Sequence, residues 1–311
     1  VGLNLDRFAR EVGPADAGPV WVQGRGTRRR APDGVRVVSS PGGVSSLRAD
    51  EMVVECGAGT TVEELQASLA EVGQYANLPS SGRGTVGGAL ATGVSDIRRL
   101  GRGAARDAVL RVRFVGHDGE VITAGGSTVK NVSGFDLCRL LVGSWGTLGF
   151  LGEVLLRTRP LPTCSVWFAL EADASEIRRL RARLHRPAAL LWNGEEARLC
   201  LEGHPDDVAA TVSDLRRAAG TTLLESAPPP VDDFPHRWSM SPQRIEESVS
   251  TSVGACWAEV GVGTVHHRHR APVGETSPAI REIERRLLSA FDPTGRLNPG
   301  VRDPQGASPD H

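Results

Sequence analysis

Apolar residues recur along the chain with two periods. Leu3, Leu5, Phe8 and Val12 mark a short amphipathic helix. Short β-branched runs follow at Val20-Trp21-Val22, Val35 to Val38, Met52 to Glu55, Val109 to Val115 and Val121 to Thr123, and they predict strands. One helix between them is well delimited. Thr61-Val62-Glu63-Glu64 has the form of a capping box, Val62, Leu65, Leu69 and Val72 share a face, and Gly73 ends it. Strands joined by turns and occasional helices predict an α+β fold rather than a βαβ repeat.

The pattern changes after Arg159-Pro160-Leu161-Pro162, which reads as a domain boundary. Beyond it we expect strand 166–171, helix 174–186, strands 188–192 and 197–202, helix 205–219 and strand 221–225. The order βαββαβ predicts a ferredoxin-like sheet with helices on one face. Residues 234–250 read as a broken helix, and Cys256 to Val265 as a last strand. Ser277 and Pro278 open a helix to Phe291 whose apolar face carries Ile280, Ile283, Leu287 and Phe291. Asp292-Pro293-Thr294-Gly295 stops it. The expected organisation is 1–162, 163–270 as a cap, and 271–311 returning to the first domain.

Composition narrows the function. The 311 residues are enough for two domains, and the formal net charge is -1. Balanced charge, without an aromatic basic platform, sets aside a nucleic-acid binder despite Arg28-Arg29-Arg30. No apolar run approaches the roughly 20 residues that span a bilayer, and the start lacks a signal-peptide pattern, so a cytoplasmic protein is expected. The five cysteines are odd in number and scattered, with no CxxC pair. That argues against an iron–sulfur or zinc site and for reduced thiols; no metal is expected. Of the 36 basic residues 35 are Arg, and the single lysine is Lys130.

Three glycine-rich stretches carry the candidate chemistry. In VWVQGRGT, Val20 to Thr27, a strand runs into a turn whose N–H groups can converge on an anion. LPSSGRGTVGGALATGVSD, Leu78 to Asp96, contains GxGxxG at Gly82, Gly84 and Gly87. No buried strand precedes it and no long helix follows, so the Rossmann reading fails. What remains is a surface of small residues that admits a large flat ligand. In the third stretch, Gly125 to Glu153, glycine recurs at Gly143, Gly146, Gly149 and Gly152, and Lys130 lies within it. This spacing excludes an ordinary helix and suggests tight backbone contact with a partner.

Taken in order, the segments QGRGT (23–27), TVGGALATGVSDIRRLGRG (85–103), RDAVL (106–110), DGEVITAGGSTVKNVSGFDLCRLLVGSWGTLG (118–149), EVLLRTRPLP (153–162) and FDPTGRLNPG (291–300) resemble one family. It is the vanillyl-alcohol oxidase/p-cresol methylhydroxylase (PCMH-type) flavoprotein superfamily, nearest to the FAD-binding subunit of glycolate oxidase. The resemblance implies a two-subdomain FAD-binding domain with a small cap. It places Gln23, Gly24, Arg25, Gly26 and Thr27 on the FAD pyrophosphate. Leu78, Pro79, Thr85, Val86, Gly87 and Gly88 would line the pyrophosphate and ring edge, with Thr92 and Ser95 adding hydroxyls. Gly143, Gly146, Thr147, Leu148 and Gly149 would follow the adenosine or ribityl part, and Asn298 the ring end. Lys130 joins the cofactor candidates. No His or Cys stands in 23–27, so FAD is expected to be non-covalent.

Oxidising a 2-hydroxy acid further requires a cation for the carboxylate and a base for the hydroxyl proton. The candidates are His266, His267 and Arg268, with Arg270, Arg98 and Arg99 as further cations. Related catalytic subunits carry a His-x-Gly-x-Gly-Asn-x-His-type motif near here; this chain has Glu259-Val-Gly-Val-Gly-Thr-Val-His266. Two readings follow. One is an FAD-dependent oxidoreductase of a small 2-hydroxy acid. The other is an FAD-carrying electron-transfer or scaffold subunit. The resemblance implies a larger flavoprotein subunit and an iron–sulfur subunit as partners, through which the protein would be peripheral to a membrane.

Overall fold

The computed structural model describes residues 2–79, 83–126, 136–219, 222–272 and 277–301. The fold is α+β, in two compact units. The first runs to Asp96 and includes Ala104–Leu161 and, among the described residues, 277–301; the second holds Ile97–Gly103 and the chain from Pro162 to residue 272.

In the first unit the strands are β1 (Val20–Val22), β2 (Arg36–Val38), β3 (Val44–Arg48), β4 (Val53–Gly57), β5 (Gln74–Ala76), β6 (Val109–Val115), β7 (Val121–Gly125) and β8 (Phe150–Pro160). The main sheet has the order β3-β4-β8-β6-β7, with β5 paired to the far end of β8, and its ladders are antiparallel. Strand β8 is central because its first seven residues, apolar apart from Glu153, are all buried. The helix Val62–Ala70 forms as its sequence predicts. Glu64 N–H donates to Thr61 Oγ1 at 3.1 Å, and Thr61 N–H to Glu64 Oε2 at 3.0 Å. Its Val62, Leu65 and Leu69 enter a core with Val54, Phe114, Leu151 and Leu156. Val72 lies beyond the helix end and is exposed.

Strand β1 pairs in parallel with β2 and, on its other side, with residues 296–298. Val20 N–H donates to Arg296 O and Asn298 N–H to Val20 O, each at 2.9 Å. Arg296 is buried, and its guanidinium donates to the carbonyls of Val12, Gly13, Gly18 and His117 at 2.6–3.1 Å. Burial pulls its pKa below the usual arginine value, yet its donors have backbone partners.

The second unit contains β9 (Cys164–Glu171), β10 (Ala189–Trp192), β11 (Glu196–Gly203), β12 (Leu224–Ser226), β13 (His236–Ser239), β14 (Cys256–Glu259) and β15 (Thr264–His267). The order is β12-β9-β11-β10-β14-β15-β13. Its first four members reproduce the antiparallel ferredoxin-like arrangement; three further strands extend the β10 edge. Two local expectations are corrected. Cys256 to Val265 is a hairpin rather than one strand, because Gly261 and Gly263 turn the chain at φ +83° and +95°. Within 234–250 lies β13, before the helix Ile245–Ser250.

Helices Ala174–Arg183, Pro205–Ala219 and Ile245–Ser250 cover one face of this sheet, over Phe168, Leu190, Leu199, Ala258 and Val265. The other face carries Trp167, Leu191, Cys200 and Trp257, with Ile97, Val231 and Phe234 against it. The segment Ile97–Gly103 lies on this second face. Gly101 N–H donates to Ala188 O at 3.1 Å, and Arg102 grips Glu202 through Nε and Nη2 at 2.9 and 2.6 Å.

Candidate functional site

In the first unit β1 delivers Gln23 to the start of the glycine turn. The Gln23 side chain closes the loop, donating to Arg29 O and accepting from Ala31 N–H, each at 3.2 Å. Gly24, Arg25 and Thr27 are exposed, and Gly26 turns the chain at φ +65°. Among the described residues, the backbone N–H groups of Gly24 to Thr27 find no acceptor within the protein. Successive free N–H groups in such a turn form a nest for an anion.

The second glycine segment sits against the first. A Cβ on Gly24 would stand 2.9 Å from Thr85 Oγ1, and one on Gly84 would stand 3.8 Å from Thr27 Oγ1. Thr85 caps the short helix Val86–Ala91 by accepting from Gly88 N–H at 3.1 Å. The two central glycines differ. Gly87 packs on Ala58: its N–H donates to Ala58 O at 2.7 Å, and a Cβ would stand 2.8 Å from Ala58 Cβ. Gly88 is exposed, and among the described residues a Cβ there would meet only Thr85 Oγ1, at 3.1 Å. Val86 and Leu78 are core residues, and Pro79 is half-buried. The Thr92 hydroxyl donates to Gly88 O at 2.8 Å, and Ser95 Oγ accepts from Ala105 N–H at 3.1 Å.

The third segment is stitched to the second. Gly143 N–H donates to Leu90 O at 3.0 Å and Trp145 N–H to Ala91 O at 2.8 Å. Gly143, at φ +83°, has open space among the described residues where a Cβ would be. The other glycines face the protein: Gly146 meets Asn298 Nδ2, Gly149 meets Phe114 and Gly152 meets Leu5. Thr147 and Leu148 are buried, with Thr147 Oγ1 donating to Ser144 O at 2.7 Å. Asn298 is buried as well. Its Oδ1 accepts from Val22 N–H at 2.8 Å and its Nδ2 donates to Trp145 O at 2.7 Å. Lys130 lies outside the described residues.

Residues 15–125 match a family described as FAD binding domain. This part of the chain is similar to an FAD-binding domain. Within the matched residues the nest and the open glycine Gly88 leave the backbone accessible, as does Gly143 beyond them, which suits a flat dinucleotide. The chain is 36% identical over 148 residues to a D-lactate dehydrogenase of Archaeoglobus fulgidus, a match covering 46% of this chain and 33% of that protein. It is 35% identical over 137 residues to glycolate oxidase subunit GlcE of Escherichia coli, covering 43% of this chain and 39% of that one. Thus the matches span between a third and two fifths of these relatives. The resemblance to PCMH-type flavoproteins, near the FAD-binding component of glycolate oxidase, agrees with these matches. Among solved structures, an alkyldihydroxyacetonephosphate synthase superposes with a TM-score of 0.68 at 14% identity over 95% of this chain and 74% of that one, a likeness of fold.

The second unit holds the predicted catalytic candidates. Successive residues of β15 point to opposite faces of the sheet. His266 shares the face of Trp257, and across the ladders it is paired with Trp257 and Arg237. Its Nε2 lies 2.8 Å from Glu259 Oε1, and both side chains are buried. His267 points to the helix-covered face, stacks on Trp238 at 3.9 Å, and accepts at Nδ1 from His269 N–H at 2.9 Å. Burial and the nearby His269 and His236 hold its pKa below the ordinary value, against the hydrogen bond from His269. Its neutral ring then carries the proton on Nε2, a buried atom with no partner among the described residues. The two histidines therefore cannot serve one substrate together. Arg268 lies with its guanidinium 5.2 Å from the Phe234 ring, and Arg98 joins Arg102 beside Glu202. Glu259 and Arg237 were missed as partners of His266; the Gly-Val-Gly turn was the signal that Glu259 and His266 face each other across a hairpin.

Among the described residues, no cluster of three His, Cys, Asp or Glu is placed to hold a metal, and no helix is long and apolar enough to cross a membrane. Burial raises the thiols of Cys56 and Cys200 to about 12, so both stay protonated and unreactive.

Proposed function

We propose that the protein is an oxidoreductase, or the FAD-bearing unit of one, that oxidises a small 2-hydroxy acid such as glycolate or lactate with non-covalent FAD. The observation that carries this reading is the N–H nest at Gly24 to Thr27, without acceptors among the described residues, set against the open glycine of the Thr85–Gly88 segment. The nest would take the pyrophosphate and Gly88 would admit the ring. Gly143 would accept the remaining backbone approach. No histidine or cysteine stands in the turn to tether the cofactor. When bound, FAD supplies the two-electron acceptor for a hydride from the substrate Cα.

The protein's own residues do the rest. His266, whose Nε2 is engaged by Glu259, takes the hydroxyl proton at its other ring nitrogen. Arg237, paired across the strand from His266, and Arg268 supply positive charge for the carboxylate. The product is the 2-oxo acid. The names of two relatives, D-lactate dehydrogenase and glycolate oxidase subunit GlcE, support the substrate class and an assembly of more than one subunit; the larger flavoprotein and the iron–sulfur subunit that the family resemblance implies are the partners we propose. The alternative, an FAD-carrying subunit whose partner does the chemistry, is favoured by the Glu259 position: a carboxylate stands where related catalytic subunits place a first histidine.

The visible spectrum of the purified protein, before and after heat denaturation, tests the reading. Flavin bands that pass into the supernatant support non-covalent FAD. Anaerobic bleaching by D-lactate or glycolate alone supports the first reading, and bleaching only after a partner is added supports the second. A colourless protein that takes up no added FAD overturns both.

A further inference from the structure

We propose that Glu259 is the positioning residue of His266: its carboxylate holds the imidazole as the Nε2–H tautomer and thereby presents Nδ1 as the proton acceptor. This rests on the reading that the protein oxidises a 2-hydroxy acid.

The geometry begins in the backbone. Glu259 ends β14 and His266 lies in β15, one diagonal step across the hairpin, on the same face. The turn between them is locked. Gly263 has φ +95° and so little room that a Cβ would stand 2.2 Å from Met240 O, while Met240 N–H donates to Gly263 O at 2.9 Å. The carboxylate therefore reaches the ring from a fixed hairpin. Its Oε1 meets Nε2 at 2.8 Å with Glu259 2% and His266 7% exposed. A carboxylate oxygen only accepts, so it fixes the proton on Nε2 of the neutral ring and leaves Nδ1 as the unprotonated nitrogen.

A purely structural ion pair is built differently in this same unit. Arg102 engages both oxygens of Glu202. Glu259 Oε2, in contrast, is buried with no partner among the described residues, and leaving such an oxygen desolvated is costly in a group whose only task is packing. A carboxylate that stabilises the imidazolium formed during turnover accounts for the single contact. His267 cannot substitute, since its Nδ1 is already an acceptor and its ring lies on the other face.

The test uses the FAD-loaded protein labelled with nitrogen-15, with His266 assigned by its loss in His266→Gln. The expected spectrum near pH 8 shows a protonated Nε2 and an unprotonated Nδ1 on His266. Glu259→Leu should redistribute the proton between the two nitrogens, and Glu259→Gln, whose amide carbonyl still accepts, should not. Anaerobic flavin reduction by D-lactate or glycolate should slow about tenfold in Glu259→Gln and about a hundredfold in Glu259→Leu, with substrate affinity held within about twofold. A wild-type His266 protonated on Nδ1, or an unchanged tautomer in Glu259→Leu, overturns the proposal. Should Glu259→Leu fail to fold, an unaltered reduction rate in Glu259→Gln overturns it. If the wild-type protein is reduced by no 2-hydroxy acid, the functional reading falls while the tautomer still decides the role of Glu259.

Discussion

Gly24 lies directly against the hydroxyl of Thr85, which a Cβ at position 24 would approach to 2.9 Å. The same hydroxyl caps the Val86–Ala91 helix through Gly88 N–H. Gly24→Ala therefore disturbs the anion nest and the cap together. We expect a loss of about 1 kcal/mol in stability of the apoprotein and at least about a tenfold weaker FAD affinity. Urea unfolding and FAD titration by fluorescence quenching would check both.

Adjacent glycines in that helix should respond in opposite ways. Gly88→Val projects its side chain into open space beyond Thr85 and should abolish FAD binding while the apoprotein melts within a few degrees of wild type. Gly87→Val drives the side chain into Ala58 and should cost about 1–3 kcal/mol or more of folding stability. Retention of stoichiometric FAD by Gly88→Val would remove that residue from the cofactor surface.

Asn298 is in the left-handed region, at φ +46°, and its amide bridges Val22 and Trp145. Asn298→Gly keeps the backbone but leaves a buried N–H and carbonyl without that partner, a loss of about 2–3 kcal/mol. Asn298→Ala should lose about 1 kcal/mol more because alanine is strained at this φ. Denaturant midpoints of the two variants give the order directly.

The pH response follows from His267. Its folded-state pKa is held below the ordinary 6.5, chiefly by burial. Below that pH the unfolded chain binds a proton that the folded chain refuses. The stability contribution is thus complete above about pH 6.5 and is lost as pH falls toward the depressed folded value. Urea midpoints should drop between pH 7.5 and 5.5, and His267→Gln should flatten part of that drop. An identical slope in the variant would show that other groups govern it.

Much of the fold was legible. The capping box at Thr61 and the helix 205–219 appear where the pattern puts them, and the ferredoxin-like core arises from the βαββαβ order of elements read from the chain. Strand β13, His236–Ser239, was not legible, since it is a short, mostly polar edge strand placed by pairing with β15 rather than by its own composition. The hairpin at 256–267 was missed because valines run on through its turn, where only Gly261 and Gly263 mark the reversal. The glycine series after Gly143 pointed to close backbone contact, but Gly146, Gly149 and Gly152 make that contact with Asn298, Phe114 and Leu5. Periodicity reveals that the backbone is approached closely, not by what. His266 and His267 part company by the simple alternation of a strand, which was missed because the strand was read as ending at Val265 and the two histidines as lying in the turn beyond it.

The arrangement around β1 bears on how the protein is made. Val22 N–H waits for Asn298, 276 positions further along, and Val20 for Arg296. A ribosome translating this chain must deliver both before the strand that leads into the Gly24 turn has its second edge. The strand that leads into the nest therefore has both edges only once the chain has been made through residue 298, and a cofactor that needs a fixed turn is expected to bind after that point rather than to the first glycine segment as it emerges.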